Sequence, residues 1–374
     1  MFKTIQYSKW APALAACQKM MHTFALWLCE PTVNSSRLTE AELIKALGTR
    51  IEGEWLWHFL GRKVSATTLL THAIRLADLS VSDKNNLKQW VMKTSDVSDY
   101  FSLAPNTLVL PITSPLQTED DWKALQKLME AFYSPGLREG LPYGVTGNVT
   151  DDKPSQVTYE SFKQDFLQRH KVDPDPDARE ACVVCGAELG KAHVDHWVAK
   201  AQFPLLSVCA HNLIPMCDDC NEAPNKGQDK VHTQGSFQEW FHPYKRQPAG
   251  KFALKLLPVS LKVQLESIDP IDAPRVVNLN SVFNLSDRWG KEVRAEYRKV
   301  QRLLERWQVD RKAALTCQEL DRMVHDMAKG LSEAEPNHAV HQALFQVICD
   351  PARFLGWQAE LEADFNEKVA LGLV

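Results

Sequence analysis

With 374 residues the chain is long enough for two or three domains and a sizeable core. Its 44% hydrophobic and 24% charged residues are ordinary for a globular protein. No apolar run reaches bilayer-spanning length, and the greasiest stretch, Ala11 to Cys29, is broken by Gln18, Lys19 and His22. The start has no basic segment leading into a clean apolar core, so neither a membrane span nor a signal peptide is expected. Nine cysteines, four of them in two close pairs, fit a metal site in a reducing compartment better than a disulfide framework, which makes the cytoplasm the expected location.

The formal net charge of −4 hides an uneven division along the chain. Residues 181–240 hold 4 Lys and Arg against 7 Asp and Glu, residues 241–330 hold 17 against 11, and residues 331–374 hold 2 against 7. A basic segment is thus followed at once by an acidic one, and the overall charge does not exclude a polyanionic partner.

The first 170 residues read as mostly helical. Thr39 with Glu42, and Thr118 with Asp121, have capping-box spacing ahead of apolar-periodic runs. The runs Thr67 to Leu79 and Trp122 to Phe132 place their apolar residues at helical intervals. Between Ser134 and Ser155 seven Gly and Pro residues predict a loop or crossover, after which Thr158 to His170 reads as one more helix. The alternating Asp-Pro segment at 173–177 cannot continue that helix and marks a boundary.

Farther on, Leu261, Val263 and Leu265 alternate with polar residues as a half-buried strand, and Phe252, Leu254 and Leu256 suggest its hairpin partner. From Ser286 the chain turns helical, with Val293, Tyr297, Val300, Leu304 and Trp307 on one stripe. The last 40-odd residues predict one or two more helices. No internal repeat or low-complexity segment is present.

Residues 182–221 carry the strongest chemical signal. Cys182, Cys185, Cys217 and Cys220 form two Cys-x-x-Cys knuckles separated by 31 residues, the arrangement that presents four thiolates to a closed tetrahedral zinc site. Two such pairs so close together are poorly explained as small buried hydrophobes, the reading that suffices for Cys17, Cys29, Cys209, Cys317 and Cys349. Between the knuckles stand His193, the pair Asp195-His196, and His211-Asn212; Asn221 follows the last knuckle.

This order and spacing resembles the HNH, or ββα-metal, endonucleases. The likeness covers roughly residues 181–230, about an eighth of the chain. It implies a hairpin closed by structural zinc, carrying an open site that hydrolyses phosphodiesters. Carried over by position, Asp195 is a metal ligand, His196 is the general base that activates water, and Asn212 bonds loop backbone and holds the base in place. Many members have His after the last knuckle, whereas this chain has Asn221. The resemblance therefore implies a catalytic Mg²⁺ or Mn²⁺ held by Asp195 and by either Asn221 or Asn225. Lys226 reads as a phosphate contact or a solvated lysine. His193 and His242, the latter in a His-Pro-Tyr step, read as structural, and Trp197 and Phe203 to Leu206 as packing. The stretch Phe132 to Pro142 and the Phe203 to Ser207 segment are similar to standalone nucleases of bacterial anti-phage defence systems.

Arg294, Arg298, Arg302 and Arg306 recur every four residues on the helix expected after Ser286. Such a row can follow a DNA backbone, or it can be a solvated face balanced by Glu292, Glu296 and Glu305. The acidic segment beyond it either covers this row as a lid or packs Leu344, Phe345, Phe354, Leu355 and Trp357 into the core.

The expected fold is mainly α with a small central ββα-metal zinc-knuckle domain, α+β overall. The regions are a helical 1–172, an HNH-like 178–246 and a β-hairpin with helices at 247–374. The expected function is a metal-dependent DNA endonuclease. Two alternatives remain open: an HNH subunit of a larger partner-guided nucleoprotein complex, and a catalytically weak zinc-stabilised DNA-binding module. The expected partners are DNA and proteins of a defence system.

Overall fold

The computed structural model describes residues 3–64, 66–94, 97–101, 113–227, 231 and 237–373. Among these residues the molecule is mainly helical, with thirteen α-helices and three two-stranded antiparallel sheets, an α+β fold.

The N-terminal half consists of α1 (Ala11–Leu28), α2 (Glu40–Leu47), α3 (Arg50–Leu60), a minimal hairpin β1 (Lys63–Val64) and β2 (Thr67–Thr68), α4 (Leu69–Ala77), α5 (Val81–Thr94), α6 (Glu119–Glu130) and α7 (Tyr159–His170). Thr39 and Thr118 cap α2 and α6 as their spacing predicts, each accepting from the backbone N–H three residues on. Full reciprocal capping boxes form instead at Thr158 with Ser161 and at Thr316 with Glu319. The Ser134 to Ser155 stretch is largely irregular, though Phe132–Leu137 makes a wide helical turn after α6.

Strands β3 (His193–His196) and β4 (Leu213–Met216) pair in register, Asp195 opposite Ile214 and His196 opposite Leu213, and the single-turn helix α8 (Asp218–Asn221) follows. The C-terminal part begins with the hairpin β5 (Phe252–Leu256) and β6 (Val263–Ser267). Leu261 falls outside β6 because it adopts φ 51° in the connecting turn. Helices α9 (Ala273–Phe283), α10 (Leu285–Arg311), α11 (Cys317–Lys329), α12 (His338–Ile348) and α13 (Pro351–Ala370) complete the chain.

The hairpin does not stand apart from the helices before it. Its connecting segment, residues 197–211, is mostly buried and packs against α1, α5 and α6, and nearly all the buried apolar residues among those described form one continuous cluster. Gln18 on α1 donates to the Leu205 carbonyl at 2.5 Å, and Gln126 on α6 donates to the Ala201 carbonyl. Trp90 of α5 stacks parallel to Phe203 at 6.5 Å. A buried carbonyl such as that of Leu205 needs such donors, because an unpaired buried acceptor costs about 1–3 kcal/mol, whereas the Ala201 bond lies at the exposed edge. The N-terminal helices supply them, which fixes the conformation of the site described next.

Candidate metal centre and hydrolytic site

The four knuckle sulfurs converge: Cys182, Cys185, Cys217 and Cys220 are buried, and their ligand atoms lie within 4.8 Å of one another. Four sulfurs about 2.3 Å from a common ion at tetrahedral angles stand about 3.8 Å apart. The Cys185–Cys217 separation is 3.7 Å, so the donor set fits zinc in spacing, number and softness. Local backbone bonds shape each knuckle. The Cys182 carbonyl accepts from the Gly186 N–H, and the Cys217 carbonyl accepts from the N–H groups of Cys220 and Asn221. Gly186 takes φ 77°, a conformation that glycine adopts without penalty.

His196 is 5% exposed at the end of β3. Its Nε2 lies 2.9 Å from the Ser207 carbonyl, and a carbonyl only accepts, so the ring proton sits on Nε2 and the lone pair on Nδ1. Ser207 is itself held, its hydroxyl donating to the Met129 carbonyl at 2.7 Å. The Tyr133 ring meets the imidazole edge-on at 4.5 Å, and its hydroxyl donates to the Val194 carbonyl at 2.8 Å. Burial, followed by the nearby Lys200 charge, pushes the imidazole pKa down to about 3, so the ring is neutral.

Asn212 is fully buried and clamps the connecting segment. Its Oδ1 accepts from the Val198 N–H at 2.7 Å, and its Nδ2 donates to the carbonyls of Val198 and Leu206 at 2.9 and 3.2 Å. Both ends of the amide are thus spent on backbone, which suits a brace. The His-Pro-Tyr step is also structural. His242 Nδ1 accepts from the N–H groups of Tyr244 and Lys245, and the Tyr244 hydroxyl donates to the Leu213 carbonyl of β4. His193 pairs with Asp218 at 2.6 Å and ties β3 to α8.

Lys226 is not a solvated lysine. It is 2% exposed and lines the same cavity as His196. Its ammonium lies 2.5 Å from Asp195 Oδ2 and donates to the His196 carbonyl at 2.7 Å. Burial raises the Asp195 carboxyl pKa while the adjacent Lys226 charge opposes that rise. Asp195 and His196 alternate along a regular strand, yet both line one cavity of about 510 Å³, together with Lys200, Lys226, Glu130 and Trp122.

Of the three residues expected at a catalytic ion, Asp195 alone lines the cavity. Asn221 and Asn225 do not line that cavity, and the Asn225 amide donates to the Asp219 carbonyl of its own loop. The cation beside Asp195 is the ammonium of Lys226. Asp195 is already paired with the Lys226 ammonium, and neither amide joins it in the cavity. Among the described residues, the four cysteines are the one group of three or more His, Cys, Asp or Glu side chains close enough to share an ion.

Glu130 and Lys200 line the cavity and Tyr133 packs against its imidazole, and sequence reasoning misses all three. Lys200 is open to detection, as a cation four residues past His196 in the same segment. It lies over the Tyr133 ring at 5.4 Å, and burial raises the Glu130 pKa while the Lys200 charge partly opposes the rise. Glu130 and Tyr133 come from α6 and the turn after it, and no local pattern links them to the hairpin.

The arginine row lies on α10. Arg294, Arg298, Arg302 and Arg306 are all exposed, on the side opposite the buried Val293, Val300 and Leu304. The acids expected to balance the row pair elsewhere: Glu292 with His341 at 2.8 Å, Glu296 with Lys299 at 3.2 Å, and Glu305 with Lys368 at 3.5 Å. Arg306 has Asp310 at 3.8 Å.

No family model matches the chain, and no solved structure matches it. Part of the chain is similar to Protein ea31 of Escherichia phage lambda, 29% identical over 148 residues, which is 37% of this chain and 47% of that protein. The chain thus spans about half the length of the curated relative it matches, and the likeness is to part of a phage protein.

Proposed function

We propose that the protein is a zinc-stabilised HNH-type endonuclease that hydrolyses DNA phosphodiester bonds. The observation that carries this reading is His196: a neutral imidazole whose proton is fixed on Nε2 by the Ser207 carbonyl, leaving Nδ1 as the proton acceptor, in a cavity shared with Lys226 and Lys200. In this reading water gives its proton to Nδ1 as its oxygen bonds to phosphorus, and the bond from phosphorus to the leaving deoxyribose oxygen breaks. Lys226 and Lys200 meet the negative charge that builds on the phosphate. An imidazole held near pKa 3 is a weak base in the empty cavity; the entering phosphate charge favours the imidazolium and raises its proton affinity. Asp195 keeps the Lys226 ammonium in place. The exposed Arg294, Arg298, Arg302 and Arg306 supply backbone affinity that the acidic hairpin region lacks. A role in the conflict between bacteria and phage is part of the proposal. It draws support from the likeness to defence nucleases and from the phage relative.

Plasmid cleavage by the wild type and by His196→Gln, with and without Mg²⁺ or Mn²⁺, tests the reading. Gln keeps a donor for the Ser207 carbonyl, and the variant should lose cleavage on the order of 10²–10⁴-fold. A wild type that cuts under none of these conditions sinks the proposal. One observation favours a second reading, a zinc-stabilised DNA-binding module without catalysis: Asn221 and Asn225 stand outside the cavity. That reading predicts DNA retention in a mobility-shift assay with no cleavage by either protein.

A further inference from the structure

The metal centre has a fifth neighbour that neither knuckle contributes. Helix α9 ends at Asn284, whose φ of 49° reverses the chain, and α10 starts one residue later with its N-terminus against the cysteines. The Ser286 N–H donates to Asn280 Oδ1 and fixes this corner. Arg288, in the first turn of α10, sends its guanidinium to the sulfurs. Nη1 is 3.3 Å from Cys220 Sγ, and Nη2 is 3.3 Å from Cys185 Sγ. Cys185 belongs to the first knuckle and Cys220 to the second, so one planar group spans both.

The contact is braced from several sides. Arg288 Nη1 also donates to the Phe283 carbonyl, and the guanidinium lies 3.7 Å from Asp219 Oδ2. The next residue, Trp289, is 2% exposed and donates Nε1–H to the Cys185 carbonyl at 2.9 Å. The Asn337 N–H, just before α12, donates to the Gly186 carbonyl at 2.6 Å. The knuckles are therefore gripped by backbone and side chains from the C-terminal helices.

Four thiolates around one divalent ion leave a net charge of −2 in a buried site. Excess charge of that kind is costly away from water and needs N–H donors or a counter-charge. A guanidinium supplies both at once, and its rigid fork reaches two acceptors where an ammonium reaches one. We propose that Arg288 is the charge-compensating partner of the zinc–thiolate centre, hydrogen-bonded to one sulfur of each knuckle, so that zinc retention depends on helix α10. Sequence spacing gives no hint of it, because Arg288 stands 103 residues after Cys185 and 68 after Cys220. The inference rests on the four-cysteine centre and not on the nuclease reading.

The test uses the full, zinc-loaded chain and follows transfer of zinc to a chromophoric chelator. Arg288→Met keeps the apolar stem and removes charge and donors; its zinc release should be roughly 10–100-fold faster, the range for loss of a metal's outer partner. Arg288→Lys keeps the charge but cannot span both sulfurs, and its rate should lie between the two. Asp219→Asn and Arg294→Ala should release zinc at the wild-type rate. With Co²⁺ in place of zinc, the sulfur-to-metal charge-transfer band should move in Arg288→Met and stay in Trp289→Phe, which separates an effect on the thiolates from loosened packing. If Arg288→Met does not fold, Arg288→Lys decides by the same two readings. Release at the wild-type rate in the folded Arg288 variants overturns the proposal. So does an Asp219→Asn protein as fast as Arg288→Met, which would reduce Arg288 to a partner of that carboxylate.

Discussion

Lys226 and His196 show how burial rewrites what a residue offers. At position 226 the sequence offers a phosphate contact or a solvated lysine, and the folded chain holds the ammonium buried against Asp195 and the His196 carbonyl. Removing one member of a buried ion pair leaves the other charge uncompensated, which typically costs about 3–5 kcal/mol. Lys226→Met should therefore melt well below the wild type, and Lys226→Met with Asp195→Leu should recover much of the loss; calorimetry of the four proteins of that cycle checks it. A single variant as stable as the wild type would mean that the ammonium and carboxylate do not meet in solution. His196 likewise is a core side chain, so His196→Ala would combine lost chemistry with a void. Glutamine is the cleaner replacement. Asp195 and His196 are legible as a pair because they are adjacent in sequence. Their third companion is not, since the choice between Asn221, Asn225 and Lys226 depends on how the loop after α8 folds back, which no spacing rule encodes.

At the scale of elements, the knuckles are readable because each Cys-x-x-Cys turn is local, and Asn212 because the family resemblance implies a backbone-bonding amide at its position. The helices of the N-terminal half are readable from periodicity and caps. Their purpose is not: Gln18, Gln126 and Ser207 act through carbonyls, and a carbonyl leaves no mark in a sequence. Because β3 and β4 are only four residues each, an ion held by the four sulfurs is expected to add to the hairpin's stability beside its packing against the helices. Cys217→Ser should lose zinc and become prone to aggregation, with amide exchange rising first in β3, β4 and α8. A soluble Cys217→Ser protein with unchanged melting and exchange would show that the thiolates bind no structural ion.

Across the whole molecule, the charge division settles into two faces of one helix. The acidic C-terminal segment packs on the apolar side of α10. Gln308 donates to the Leu361 carbonyl, Trp357 lies against Tyr297, and Lys368 reaches Glu305. The arginines look the other way, so this segment is ordinary structure and not a lid over them. Leu355 is the exception to the expected packing, being 65% exposed. Charge reversal at Glu360, Glu362 and Glu367 should leave DNA binding unchanged. Neutralising Arg298 and Arg302 should weaken it and flatten the salt dependence by about 0.9 in log–log slope for each phosphate no longer neutralised. A flat response to the arginine changes, or tighter binding after the acidic reversal, would reinstate the lid.

The claim on which the functional account stands is that His196 Nδ1 takes a proton from water at a scissile phosphate. Its most direct test is the rate of supercoiled plasmid nicking by wild type and His196→Gln, matched for zinc content, melting temperature and DNA affinity. The account predicts measurable nicking by the wild type and a loss on the order of 10²–10⁴-fold in the variant. Equal rates in the two matched proteins would contradict it.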